Sequence, residues 1–292
     1  MTTVRQALSA GQKELRRHRC ARTAAPREAA AFLSLAAGLS REELFTGPER
    51  RLPAAAARRF RAFIRRRLAH EPFEYVTGSA WCRGLELAVG PGVLIPRPAT
   101  ETIIEAALET CRRLAPAAAV DVGTGSGAIA LNLAREAPAG VRIIAVDASA
   151  AALRRARANA RRNGLSGRVI FRRGDLLEPA VPLLKRTAGP AVIVANLPYI
   201  PTKDLSRLPR EIRLHEPRLA LDGGPDGLRP YRRLLSQATA LRPAGGLTFV
   251  FEILPAQYRP LAAQARRRYP GLRAERITNP SGVCVGAILS PE

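Results

Sequence analysis

Ala and Leu recur at helical spacing over Val4 to Arg17 and Arg27 to Leu39, which predicts two amphipathic helices. Ser40 followed by Glu43 fits a capping box, so a short helix is expected to begin there. Pro53 opens a long basic helix to Leu68, with Phe60, Ile64 and Leu68 on one face. Residues 1–73 therefore read as a small helical bundle. Leu85, Leu87 and Val89 then alternate at strand period, Gly90-Pro91-Gly92 is a turn signal, and Val93 to Ile95 resumes as a strand. This predicts a β-hairpin linker over residues 74–99.

From residue 100 to residue 292 helices and strands alternate. Strands are expected at Ala117–Val122, Val141–Asp147, Val169–Arg173, Ala191–Ala195 and Leu247–Ile253, with an antiparallel pair at Leu272–Ile277 and Val283–Leu289. Helices are expected at Thr100–Leu114, from the glycines to Glu136, and at Ala150–Asn163, Gly227–Leu241 and Ala256–Tyr269. Such alternation implies an α/β fold, a mostly parallel sheet covered on both faces.

Composition changes this picture little. No apolar run approaches the length of a membrane span, and no signal-peptide core opens the chain. Cys20, Cys82, Cys111 and Cys284 are far apart and His18, His70 and His215 form no cluster, so no metal site is expected and the thiols read as reduced. A cytoplasmic monomer is the default reading. Net charge does add a question. It is +23, and only Lys13, Lys185 and Lys203 of the 47 basic residues are lysines. Abundant Arg, Ala, Gly and Pro point to GC-rich codons; the alternative is a polyanionic partner such as RNA.

Candidate chemistry gathers at the strand ends. Asp121-Val122-Gly123-Thr124-Gly125-Ser126-Gly127 follows the first sheet strand and opens a helix. Glycines there let the backbone turn sharply and approach a ligand. The loop is GxGxG and begins with an acid, which would repel a pyrophosphate but suits a water or a cationic aminoacyl group. Asp147 ends the next strand, where a carboxylate can accept both ribose hydroxyls. Asp175 ends the third, placed to accept from an adenine amino group, with Leu176 against the ring. Three acids at successive parallel strand ends favour S-adenosylmethionine over a dinucleotide.

Asn196-Leu197-Pro198-Tyr199 follows the fourth strand at the same sheet edge. An amide nitrogen is a poor nucleophile because its lone pair is delocalised. The Asn196 side-chain oxygen can accept one N–H of such a group and the Leu197 carbonyl, held by Pro198, the other. Tyr199 can pack against its plane. Positioning, not a strong base, would then carry methyl transfer.

With these residues in place, the chain resembles the HemK/PrmC family, the release-factor glutamine N5-methyltransferases. The resemblance runs nearly full length. It includes Glu71 to Gly78, Gly92-Val93-Leu94-Ile95-Pro96-Arg97-Pro98, Thr100-Glu101, the glycine loop, Asp147 and the Asn-x-Pro-Tyr motif. It continues through His215-Glu216-Pro217-Arg218-Leu219-Ala220-Leu221-Asp222-Gly223-Gly224 and Asp226-Gly227-Leu228. The resemblance implies a seven-stranded Rossmann-like class I methyltransferase sheet behind a helical substrate-recognition domain. It also implies the GGQ glutamine of a peptide chain release factor as methyl acceptor. Four departures stand out: Leu197 for Pro, Ala99 for Glu, Leu254 for Gly, and an Asn279-Pro280-Ser281-Gly282-Val283 turn without the usual acidic and arginine residues. The rivals are a ribosomal-protein glutamine methyltransferase, an adenine N6-methyltransferase on RNA or DNA, and a non-catalytic RNA- or ribosome-binding module with a vestigial cofactor fold.

Overall fold

In the computed structural model, residues 2–17, 23–241 and 246–291 are described; Cys20 and His18 lie outside them. The chain forms two compact units, residues 1–79 with 208–215, and residues 80–207 with 216–292.

The first unit is helical: α1 (Val4–Arg17), α2 (Ala25–Ala37), α3 (Arg41–Thr46), α4 (Ala54–Leu68) and α5 (Phe73–Thr77). Phe32, Leu33, Phe60 and Ile64 are buried in its core. The expected capping box is present: the Glu43 amide donates to Ser40 Oγ at 3.1 Å, and the Ser40 amide to Glu43 Oε2 at 2.7 Å. Pro53 is the cap of α4, one residue outside the helix. The later segment Leu208–His215, carrying α10 (Arg210–His215), joins this unit. An ion cluster ties them: the buried Arg67 donates to the buried Glu28 Oε2 at 2.8 Å and to the half-buried Glu211 Oε2 at 2.8 Å.

In the second unit β1 (Ser79–Cys82) and β2 (Leu85–Ala88) pair as a two-stranded sheet. The hairpin expected to turn at Gly90-Pro91-Gly92 thus turns earlier, at Arg83-Gly84. Both residues have positive φ, +46° and +80°, as a tight two-residue hairpin turn demands. Val93–Ile95 is not a strand. Pro91, Pro96 and Pro98 remove ladder donors, and the Ile95 amide points to Glu216 instead, at 3.3 Å.

Then follow α6 (Pro98–Leu114), β3 (Ala118–Val122), α7 (Ala128–Glu136), β4 (Arg142–Asp147), α8 (Ala150–Arg162), β5 (Val169–Arg173), α9 (Val181–Lys185), β6 (Ala191–Ala195), α11 (Arg229–Ala238), β7 (Leu247–Glu252), α12 (Tyr258–Arg268), β8 (Leu272–Thr278) and β9 (Cys284–Pro291). The seven-stranded sheet has the order β5-β4-β3-β6-β7-β9-β8. β3 to β7 are parallel and β9 is antiparallel to both β7 and β8. This is the expected α/β class.

Strand period 2 sorts the central side chains. Val120, Val122, Ile193, Phe249 and Phe251 share a core with Tyr231 and Leu234 of α11, while Ala119, Val192, Val194 and Val250 face Ile103, Ile104 and Ile129 of α6 and α7. The chain runs from β3 to β4 and β5 on one side, then returns to β6 and β7 on the other. The crevice between β4 and β6, over the end of β3, is therefore the topological switch point where such sheets bind ligands.

Arg67→Met leaves the Glu28 carboxylate buried without its cation. The helical unit should lose about 3 kcal/mol. Amide hydrogen exchange in α2 and α4 should accelerate accordingly, and exchange in the β3–β6 sheet should not.

Candidate active site

A cavity of about 660 Å³ opens at the switch point. Its walls come from the irregular Gly92–Pro96 stretch, the glycine loop, the ends of β4, β5 and β6, and Pro217–Ala220. The residues that failed to form a strand thus became a wall of the site. Arg97, next in sequence, donates to the buried Glu216, which anchors that wall to the Pro217 segment.

Gly123, Thr124, Gly125 and Ser126 line the cavity, whereas Gly127 caps α7 behind them. Gly123 has φ +79°, and a Cβ there would sit 3.0 Å from the Leu197 side chain. Only glycine lets the two loops meet. Asp121 is fully buried and does not line the cavity. Its Oδ2 accepts from Thr124 Oγ1 at 2.6 Å and the Ala130 amide at 3.0 Å, and Oδ1 has no partner. Burial pushes its carboxyl up to about 7, against those hydrogen bonds. Asp121 therefore ties the glycine loop to α7 from behind the cavity wall.

Asp147 does line the cavity. Its Oδ2 accepts from the Gly125 amide at 2.9 Å and its Oδ1 from the Ser149 amide at 2.8 Å. Each oxygen keeps a lone pair for a diol. Burial raises its carboxyl above the usual range. Asp175 and Leu176 also line the cavity. Asp175 pairs with Arg233 and accepts from Gln237 Nε2 at 3.2 Å. Leu176 has φ +47°, a strained conformation for a branched residue, and its side chain is on the wall.

Asn196, Leu197 and Pro198 line the opposite wall; Tyr199 lies outside it. The Asn196 amino group is fully engaged, donating to Glu252 Oε2 at 2.8 Å and Thr100 Oγ1 at 3.1 Å. Its Oδ1 is left as the acceptor. Tyr199 donates to Glu252 Oε1 at 3.1 Å. Burial and the neighbouring Glu252 charge raise its phenol. The Leu197 amide donates to the Tyr231 hydroxyl at 3.2 Å, and that hydroxyl donates its single proton to the Glu252 carbonyl. The Leu197 carbonyl, 3.2 Å from the same hydroxyl, keeps a free lone pair.

Two residues at this site had no assigned part in the sequence reading. Glu252, at the end of β7, is 1% exposed, and burial pushes its carboxyl up to about 7. Thr100 donates to it at 2.9 Å. The signal for Glu252 was an acid ending a mostly apolar strand, Leu247-Thr248-Phe249-Val250-Phe251-Glu252; Thr100 had none of its own. Gly227 shapes the same loop from outside: a Cβ there would lie 2.1 Å from the Tyr199 carbonyl. Among the described residues no His, Cys, Asp and Glu cluster fits a metal, and no helix is long and apolar enough to cross a membrane.

The chain matches a family model for the PrmC N-terminal domain over residues 6–78 and one for a methyltransferase domain over residues 119–215. It is 46% identical to the release factor glutamine methyltransferase of Moorella thermoacetica over 246 residues, covering 84% of this chain and 83% of the relative. It is 39% identical to the enzyme of that name from Koribacter versatilis, covering 86% of each chain. A solved structure of the human methyltransferase 10 domain containing protein superposes with a TM-score of 0.52 at 16% identity, over 71% of this chain and 88% of that one, which is a likeness of fold. The sequence match over both units places the chain in the release factor glutamine methyltransferase family.

Proposed function

We propose that this chain transfers a methyl group from S-adenosylmethionine to the side-chain amide nitrogen of the GGQ glutamine in peptide chain release factors. The observation that carries the reading is the Asn196 amide, whose nitrogen is tied back to Glu252 and Thr100 so that an oxygen acceptor faces the cavity.

The residues fit the cofactor. Gly123 and Gly125 keep the wall free of side chains, Asp147 offers two oxygens to a ribose, and Leu176 gives an apolar surface beside Asp175. When bound, S-adenosylmethionine supplies an electrophilic methyl carbon on a sulfonium. The protein must orient the acceptor. Asn196 Oδ1 takes one N–H of the glutamine amide, and the Leu197 carbonyl takes the other. Two acceptors fix the amide plane and favour a pyramidal nitrogen whose lone pair points at the methyl. The N–C bond forms as the S–C bond breaks. The nitrogen becomes acidic only then, and its proton leaves to water. No strong base is needed, and orientation with electrostatics carries the rate.

Tyr199 acts here through Glu252 and supports the loop, in place of the stacking role the sequence suggested for it. We assign substrate recognition to the helical unit, whose family match is the PrmC N-terminal domain. A glutamine on a ribosomal protein and an adenine in RNA remain the competing acceptors. The relatives' names favour the release factor. We further assign a weak RNA contact to the α8–β5 edge and take the chain as a cytoplasmic monomer. Residues 148–174 hold eight arginines and no acid, and Arg154, Arg157, Arg161, Arg168, Arg172 and Arg173 are exposed on adjoining elements.

Labelled S-adenosylmethionine should place its methyl on a purified release factor and leave one carrying GGA unlabelled. Label persisting on the GGA factor refutes the glutamine assignment, and label on rRNA favours the adenine reading.

Asn196→Ala should lower kcat at least 100-fold, the scale for losing one oriented polar contact to a transition state. Cofactor affinity by calorimetry should change less than about threefold, since Asp147 and the glycine loop are untouched. Unaltered turnover would remove Asn196 from the mechanism.

If about four arginines of the α8–β5 edge reach phosphates, affinity for an rRNA fragment should fall roughly 100-fold between about 50 and 200 mM salt. A salt-independent affinity returns the +23 charge to compositional bias.

A further inference from the structure

We propose that Glu252 is the positioning residue that sets the polarity of the acceptor site: its buried carboxylate locks the Asn196 amide with Oδ1 toward the cavity, so the site admits an NH2 group and turns away a carboxylate or carbonyl. The inference rests on the function proposed above.

The hydrogen-bond inventory leaves little freedom. A side-chain amide has two N–H donors and one oxygen, and either end fits the same space. Glu252 Oε2 receives one Asn196 N–H at 2.8 Å, and Thr100 Oγ1 receives the other at 3.1 Å. Thr100 must accept there, because its own proton is spent on Glu252 at 2.9 Å. Rotating the amide by half a turn would set its oxygen against a carboxylate oxygen in a dry site, and would leave Thr100 Oγ1 without a donor. In a low-dielectric interior both changes are costly. The other carboxylate oxygen is held by Tyr199 at 3.1 Å, so Glu252 cannot swing away. A glutamine in the acceptor position then finds an oxygen facing its NH2. A glutamate would meet lone pair against lone pair.

The lock requires the ionised form. Protonating Glu252 turns one acceptor oxygen into a donor, and the amide loses its single preferred orientation. The charged and titratable groups that bear on Glu252 are Arg97, Tyr199, Tyr231 and Cys82. Both phenols are raised and the thiol is pushed up to about 12, so none of them titrates near neutrality. Burial pushes Glu252 itself up to about 7, so turnover should rise with pH through that value. Asp121 titrates in the same range, but it holds the glycine loop, so its ionisation is read in cofactor affinity and not in kcat at saturation.

Three measurements on the full chain test the lock. In unmutated protein without substrate, the Asn196 side-chain NH2 resonances should shift with a single midpoint near pH 7. Resonances that stay still from about pH 5.5 to 8.5 overturn the proposal. With a release factor as acceptor, Glu252→Gln should lower kcat at pH 8 by roughly 100-fold. It should leave cofactor affinity within about threefold and abolish the fall in kcat below pH 7. A Glu252→Gln enzyme that keeps the wild-type kcat and pH limb overturns the proposal as well. Thr100→Val, which removes the bridging hydroxyl and keeps the volume, should lower kcat about tenfold while retaining the pH limb; an unchanged kcat overturns the bridge. If no release factor is methylated yet the Asn196 resonances titrate as stated, the proposed function fails and the lock stands.

Discussion

A carboxylate taken out of water must be surrounded by donors, and at the end of β7 this requirement organises a whole sheet edge. Glu252 collects protons from three residues on two elements: Thr100 of α6, and Asn196 and Tyr199 of the loop after β6. Its main-chain carbonyl takes a fourth from Tyr231 of α11. The helices on both faces of the sheet are thus pinned to one strand tip, and the Asn-Leu-Pro-Tyr loop has a single hydrogen-bonded solution. An apolar residue at this position would pack as well. It would leave the Asn196 amide free to turn, and with it the chemistry the cavity offers.

Asp121 applies the same physics to the glycine loop. It sits on the α7 face of β3 and ties Thr124 and the α7 amide of Ala130 together from behind the wall. The sequence suggested a ligand-facing role for it, because an acid at a strand end is indistinguishable in one dimension from an acid beside a strand end. Strand period decides the matter. Asp121 shares its parity with Ala119, which faces α7, and not with Val122 and Val120 on the α11 side. Asp147, by contrast, is the last residue of β4, where the strand releases its side chain into the crevice.

The parallel core was legible because period and punctuation agree there: β5 and β6 begin and end where the pattern puts them, and the last pair is antiparallel as read. The hairpin was misplaced because Gly90-Pro91-Gly92 is the louder turn signal. Arg83-Gly84 is the one whose positive φ values close two strands of equal length. Short elements such as α5, α9 and α10 span fewer than two helical turns and leave no readable period. Nothing local announces that Leu208–His215 belongs with the helical unit, since what holds it are long-range partners, Arg67 for Glu211 and the Ala69 carbonyl for His215. Glu252 was visible as an acid on an apolar strand. Its role was not, because it depends on which atom of Asn196 it meets.

The departures from the family pattern can be judged against this geometry. A proline at position 197 has no amide proton, whereas the Leu197 amide donates to the Tyr231 hydroxyl. Leucine therefore gains a hydrogen bond in return for lost ring rigidity, and its side chain is buried against the space Gly123 leaves open. Leu254 has φ −72°, so no glycine is required there, and its amide is taken by Gln257 Oε1 at 2.9 Å. In the Asn279 turn the Asn279 side chain accepts from the Ser281 and Val283 amides, which closes the turn without acidic or arginine partners. Each of these three changes is absorbed by a local hydrogen bond, and nothing in the structure explains Ala99. None of them breaks the Glu252–Asn196 contact, so the orientation of the acceptor amide survives every one.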